Sequence, residues 1–250
     1  MPDSAPPFQP WPGQLGRIAG RSQTAEVATL FASGRRVGFS RADALIRDGD
    51  PAEYLYDVNA GELLMARHGA DGRRQVLAFL GPANLVGLVP GPRYAFAVTA
   101  LTDGAAVRYE RRLVEAALQA DPAFSTAMRR TLELIIESAH DHLFALGQRS
   151  AVERVAAFLL QQRLWQSRFS PEGPRAPAAR ITLPMTRTDI ADFMGLTIET
   201  VSRAFTKLRA SGVIRLDGPH LAEIVDLAQL RRLAGASDFA TSPQGPSAGA

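Results

Sequence analysis

TRTDIADFMGLTIETVSRAFTKLRASGVI, residues 186–214, describes two short helices joined at a glycine. Ile190 and Phe193 are the apolar positions of the first helix, Gly195 permits a tight turn, and Thr197 can cap the second helix. Val201, Phe205 and Leu208 recur at i, i+4, i+7, which makes one buried stripe. Glu199, Ser202, Arg203 and Lys207 fall on another face. A short helix, a sharp turn and a second helix with a polar N-terminal end form a helix-turn-helix, whose second helix enters the major groove of DNA. A small helical bundle could show the same turn and stripe, but the polar face is matched to base chemistry. A carboxylate can accept from cytosine N4, and an arginine can donate twice to guanine. A carboxylate aimed at DNA without a base partner would be repelled by phosphates, so Glu199 in the first turn needs such a partner.

The pattern Thr-Arg-x-x-Ile-Ala, starting at Thr186, followed by Gly-Leu-Thr-x-Glu-Thr-Val-Ser-Arg, ending at Arg203, resembles the Crp-Fnr family of bacterial transcription regulators. The resemblance implies that Glu199, Ser202 and Arg203 read bases. Thr186, Arg187, Thr197, Thr200 and Lys207 are then expected to contact the DNA backbone or support the motif. Ile198 and Ser202 look like the FixK-like and Fnr-like branch, whose half-sites are of TTGA type. The cyclic-AMP receptor branch carries an arginine and a glycine at these two positions. The partners implied are double-stranded DNA, a second copy of the chain as a homodimer, and RNA polymerase. The genes implied serve low-oxygen, nitrogen-oxide or redox metabolism.

The charge distribution agrees with that expectation. The chain has 250 residues and a net charge of +3. Between Arg149 and Ala234 there are 13 Lys+Arg against 8 Asp+Glu, whereas the first 148 residues carry 15 against 16. The basic surplus therefore lies around the helix-turn-helix, as phosphate binding requires, although a solvated basic surface would give the same count. There are no cysteines, which excludes disulfides, thiolate nucleophiles and Cys-ligated zinc or iron-sulfur clusters. No apolar run reaches the roughly 18 residues of a membrane span. The start, MPDSAPPFQPWPG, lacks the basic cluster and apolar stretch of a secretory signal, so a cytoplasmic location is expected.

Taken in order, residues 1–22 read as a disordered, proline-rich N-terminal arm, with a short amphipathic helix beginning near Gln23. Residues 23–121 form the next domain. Its short β-like segments are broken by turn signals at Asp48-Gly49, Asn59-Ala60-Gly61 and Asp71-Gly72, each of which suggests a hairpin. Many short strands imply a β-roll, and the domain resembles the double-stranded β-helix sensor of the same family. That family's cyclic-nucleotide binders carry a glycine-glutamate pair and an Arg-Ser/Thr-Ala phosphate site. Here Arg93 is followed by Tyr94 and the glutamate is missing, so cyclic-AMP binding is not expected.

Residues 122–147 read as a dimerisation helix, opened by Asp121-Pro122. Met128, Leu132, Ile135, Ala139, His142 and Leu146 repeat at spacings of four and three, as a coiled-coil seam does. A core helix packed on the β-domain would keep the same spacing, and Leu134, Ile136 and Leu143 on other faces leave room for both. Residues 148–234 form a winged helix-turn-helix: a helix capped by Ser150, a polar connection over residues 168–180, a strand at Ile181, a wing hairpin around Asp217-Gly218-Pro219, and a closing helix. Residues 235–250 read as a disordered tail.

The fold class is thus α+β: a cyclic-nucleotide-binding-like β-roll, a long helix and a C-terminal winged helix-turn-helix. No enzymatic constellation is present. His140 and His142 are two apart and cannot chelate one ion from one helix face, and no His/Glu pair has metal-site spacing. No metal and no cofactor are expected. A haem- or small-molecule-sensing member of the same family is the alternative, and a cyclic-nucleotide-responsive interaction module is a more distant one.

Overall fold

The computed structural model describes residues 14–20, 24–169 and 180–235. They belong to two compact units, Met1–His140 and Asp141–Ala250. No helix among the described residues is long and apolar enough to cross a membrane.

The first unit begins with α1 (Gln14–Ala19) and α2 (Ala25–Ser33). Strands β1 (Arg35–Phe39), β2 (Ala44–Ile46), β3 (Tyr54–Ala60), β4 (Leu63–His68), β5 (Arg74–Leu80), β6 (Leu85–Val86), β7 (Ala97–Ala100) and β8 (Gly104–Glu110) follow. Among the described residues they make two antiparallel four-stranded sheets, ordered β1-β8-β3-β6 and β2-β7-β4-β5. Alternation along the strands supplies the core between them, where Tyr56, Val58 and Ala106 from one sheet meet Leu63, Val98 and Ala100 from the other. The residues of opposite parity on the first sheet, Leu55 and Tyr109, pack with α1, α2, α3 (Arg111–Ala120) and the start of α4 (Pro122–Gln148). A double-stranded roll results, as expected.

The turn signals behave differently from their expected roles. Only Asp71-Gly72 joins hydrogen-bonded neighbours, β4 and β5. The turns at Asp48-Gly49 and at 59–61 carry the chain from one sheet to the other. Gly61 at φ +82° is required there, because a Cβ would lie 2.7 Å from the Asp103 carbonyl oxygen. The expected disordered arm does not extend over all of residues 1–22, because α1 lies within it. Leu15 and Ile18 of α1 are buried against β3, and the buried Asp57 carboxylate accepts the Leu15 N–H at 2.9 Å, capping α1 from a distant strand. Residues 1–13 and 236–250 lie outside the described residues, and so does most of the expected 168–180 connection.

The second unit holds the end of α4, α5 (Ala151–Phe169), β9 (Arg180–Thr182), α6 (Arg187–Met194), α7 (Ile198–Ala210), β10 (Ile214–Leu216), β11 (Leu221–Ile224) and α8 (Leu227–Leu233). Ser150 and Glu153 form a reciprocal cap on α5. Strands β10 and β11 form the wing hairpin and β9 adds to its edge. Val155, Leu159, Ile190, Phe205 and Leu230, from four helices, fill the core.

One half-buried group in the roll sets a pH dependence. Glu62, in the crossover between β3 and β4, is held by its backbone to Thr102 and Leu101, while burial pushes its carboxyl up to about 7 from an ordinary 4.5. Between those two values the unfolded chain releases a proton that the folded chain keeps, so stability falls as pH rises through about 4.5 to 7. Glu62→Gln is expected to raise stability at pH 8 by about 3 kcal/mol at most and to leave it little changed at pH 4. Urea denaturation at the two pH values checks this, and equal effects at both would contradict it.

Candidate nucleic-acid interface

The motif is built by two caps and one left-handed residue. Thr186 Oγ1 accepts the Asp189 N–H at 3.1 Å, and Asp189 Oδ2 accepts the Thr186 N–H at 2.8 Å, closing a capping box on α6. Gly195 ends α6 at φ +61°, ψ 39°, the αL conformation that lets the chain reverse within a few residues. Thr197 then caps α7 by accepting the Thr200 N–H at 3.2 Å. Val201, Ala204, Phe205 and Leu208 of α7 are buried, so the opposite face is fixed outward.

Glu199, Ser202, Arg203 and Lys207 lie together on that exposed face, with Thr206 and Arg209 beside them. The α7 N-terminal backbone and the Thr197 hydroxyl hold the Glu199 carboxyl below its ordinary range. Glu199 is therefore an ionised, acceptor-only group at neutral pH, suited to an amino donor. Arg203 is exposed and makes a long 3.3 Å contact with Thr200 Oγ1, which leaves most of its donor fork toward solvent. Ile198, at the first turn, exposes an apolar surface beside them.

Other expected site residues have structural work. Arg187 is half-buried with its guanidinium 3.6 Å over the Phe205 ring, and its Nη1 is buried without a hydrogen-bond partner. It ties α6 to α7. Thr186 and Thr197 spend their hydroxyls on caps, and Thr200 touches both Thr197 and Arg203. Asp189 joins these residues as the partner of the Thr186 cap, and its sequence signal is an acidic residue three places after a threonine. Arg209 and Arg180 are further exposed basic residues, on α7 and β9.

The expected seam is redrawn. Met128 is 2% exposed inside the first unit's core, and His142 stacks on Phe193 at 4.1 Å, so neither is open for a partner. Leu132, Ile135, Ile136 and Leu143 are exposed, and Ala139 lies exposed between them. The open apolar stripe thus runs through 132, 136, 139 and 143, with Ile135 at its edge.

In the roll, Arg93 donates to the Gly49 carbonyl at 2.7 Å, and Tyr94 fills core space with its hydroxyl bonded to both backbone groups of Tyr54. His68 and His140 are exposed, and His220 Nδ1 lies 2.8 Å from the Leu183 carbonyl. Among the described residues no group of three or more His, Asp or Glu is placed to hold a metal ion.

Comparison with known proteins gives the same two parts. A family model for a Crp-like helix-turn-helix domain matches residues 153–233, and one for a cyclic nucleotide-binding domain matches residues 36–121. The nitrogen fixation regulation protein FixK of Azorhizobium caulinodans is 34% identical over 227 residues, covering 91% of this chain and 90% of that protein. The transcriptional activator protein FnrL of Cereibacter sphaeroides is 29% identical, over 87% of this chain and 88% of its own. Among solved structures, FixK2 from Bradyrhizobium japonicum superposes with a TM-score of 0.72 at 31% identity, covering 82% of this chain and 98% of that one.

Arg187→Ala should cost stability, about 1–2 kcal/mol, through the lost stack on Phe205. It should weaken binding to all DNA sequences alike, leaving their ranking unchanged. Urea denaturation with a gel-shift series on matched and scrambled duplexes checks both halves, and a changed ranking would make Arg187 a base reader instead.

Proposed function

The chain belongs to the Crp-Fnr family of DNA-binding transcription regulators, and we propose that it acts as a homodimer reading a TTGA-type palindrome. The observation that carries this reading is the exposed face of α7, where an ionised Glu199, Ser202 and the fork of Arg203 stand on a helix anchored along its other side. Arg203 donates to guanine O6 and N7, Glu199 accepts from a cytosine amino group, and Ile198 meets thymine methyl groups. Lys207, Arg209 and the helix N-termini hold phosphates, which adds affinity without sequence information.

The dimer reading is supported by the open apolar stripe on α4. Two-fold symmetry suits a palindrome whose half-sites lie one turn apart. RNA polymerase is the further partner, the cytoplasm is the place of action, and low-oxygen, nitrogen-oxide or redox metabolism is the regulated chemistry. The support for that last assignment is the nitrogen fixation regulation in the name of the FixK relative. We favour action without a small-molecule effector or cofactor. Tyr94 supports this, because its ring takes up roll interior beside Arg93, where the resemblance puts a nucleotide phosphate. A Soret band in freshly purified protein would overturn that preference in favour of haem.

Arg203→Ala is expected to cost roughly 1–3 kcal/mol on the TTGA palindrome and far less on a scrambled duplex. Equal losses on both in a gel-shift series would remove Arg203 from base reading. Ile136→Glu, which puts charge in the apolar stripe, is expected to shift the protein toward monomer in sedimentation velocity and to weaken palindrome binding roughly tenfold or more. An unchanged dimer would place the interface elsewhere.

A further inference from the structure

Arg154, the fourth residue of α5, has no carboxylate partner and three carbonyl ones. Its Nη2 donates to Leu146 in the last turn of α4 at 2.6 Å, and its Nε to Arg149 between α4 and α5 at 2.9 Å. Its Nη1 donates to Met194 at the end of α6 at 2.8 Å. Helix C-termini carry partial negative charge on carbonyls that have no partner within the helix, and one guanidinium here serves the ends of α4 and α6 and the joint between α4 and α5. A second contact runs in parallel. His142, in the last two turns of α4, lies flat on the Phe193 ring with an interplanar angle of 20° and a hydrogen bond to the Phe193 backbone. Leu146 completes the contact, 3.7 Å from where a Cβ on Gly195 would stand. All of these residues belong to the second unit.

We propose that Arg154 and His142 are positioning residues that clamp the end of α4 to the C-terminus of α6, and that protonation of His142 loosens the clamp. The proposal rests on the dimeric DNA-binding reading. Leu143, at the end of the apolar stripe, and His142 of the clamp are neighbours on α4 within the second unit, so in the dimeric reading the clamp sets the angle of each recognition helix to that end of the stripe. Arginine suits the task because its planar fork reaches three acceptors at once, which a lysine ammonium on a flexible stem does not.

The charge environment gives the direction of the pH effect. Burial holds His142 below its ordinary 6.5, the Phe193 backbone bond opposes this, and the Arg154 guanidinium adds repulsion from α5. Asp141 on α4 and Asp192 on α6 are the acidic neighbours in sequence. With the clamped form below 6.5, the released form takes up the proton first, so the clamp weakens as pH falls through 6.5.

The test uses the full chain and palindromic duplexes whose central spacer is native, one base pair longer or one shorter, which turns one half-site by about 35°. Wild type should prefer the native spacer at pH 7.5 and lose part of that preference at pH 5.5. Arg154→Ala and Arg154→Lys should lower the preference roughly tenfold while changing single half-site affinity by less than about threefold. His142→Phe, which keeps a ring on Phe193, should show a spacer preference that is flat between the two pH values. Hydrogen exchange gives a readout independent of DNA: Arg154→Ala should speed exchange of the amides of Gly195 and Leu196 and of the last turn of α4. Retained spacer preference in both Arg154 variants, or unchanged exchange, overturns the clamp alone. Failure of wild type to bind any palindrome overturns the reading beneath it.

Discussion

The second unit depends on burying one face, and only one, of α7. Val201, Ala204, Phe205 and Leu208 leave water together, and that burial decides which side chains remain outside. Base reading needs donors and acceptors held within a few tenths of an ångström, yet the residues that read must stay solvated until DNA arrives. A helix solves this because a 3.6-residue period puts anchors and readers on opposite sides of one rigid rod. Gly195 and the two threonine caps fix where that rod starts, and the Arg187 stack on Phe205 holds it to α6.

The basic surplus of this half overstates its capacity for phosphates. Arg187 is committed to an aromatic face, Arg154 to three carbonyls and Arg215 to Glu223 at 2.9 Å. Arg163 is 8% exposed on α5. Among the described residues, Arg203, Lys207 and Arg209 are exposed on α7 and Arg180 is exposed on β9. Counting charges in sequence gives the sign of the field but not the number of phosphate contacts, because arginine is also the residue that packs and bridges. The salt dependence of DNA binding should therefore follow a few cations per subunit rather than the whole surplus.

The helix-turn-helix was legible because its determinants are local: a period of 3.6, a glycine and a capping threonine at 197. The roll was legible in kind, since short strands and turn residues mark it, but not in connectivity. Asp48-Gly49 and Asn59-Ala60-Gly61 specify a bend, and whether a bend joins paired strands or crosses between sheets depends on partners far along the chain. The same limit hid α1, whose cap Asp57 lies 42 residues beyond Leu15. It hid Arg154 too, because backbone carbonyls as acceptors leave no mark in side-chain identity.

On α4 a helical period alone does not say which apolar residues the chain itself buries. Helix-spaced residues occur along two neighbouring tracks, one through Met128, Ile135 and His142 and one through Leu132, Ile136 and Leu143, about 80° apart around the helix. Burial separates them. The first track is claimed at its start by the roll's helical core and at its end by Phe193, so only its middle stays open. The second is left to solvent along its length. A single helix thus packs on different partners at its two ends, and the track that neither unit buries is the one the proposed dimer would use.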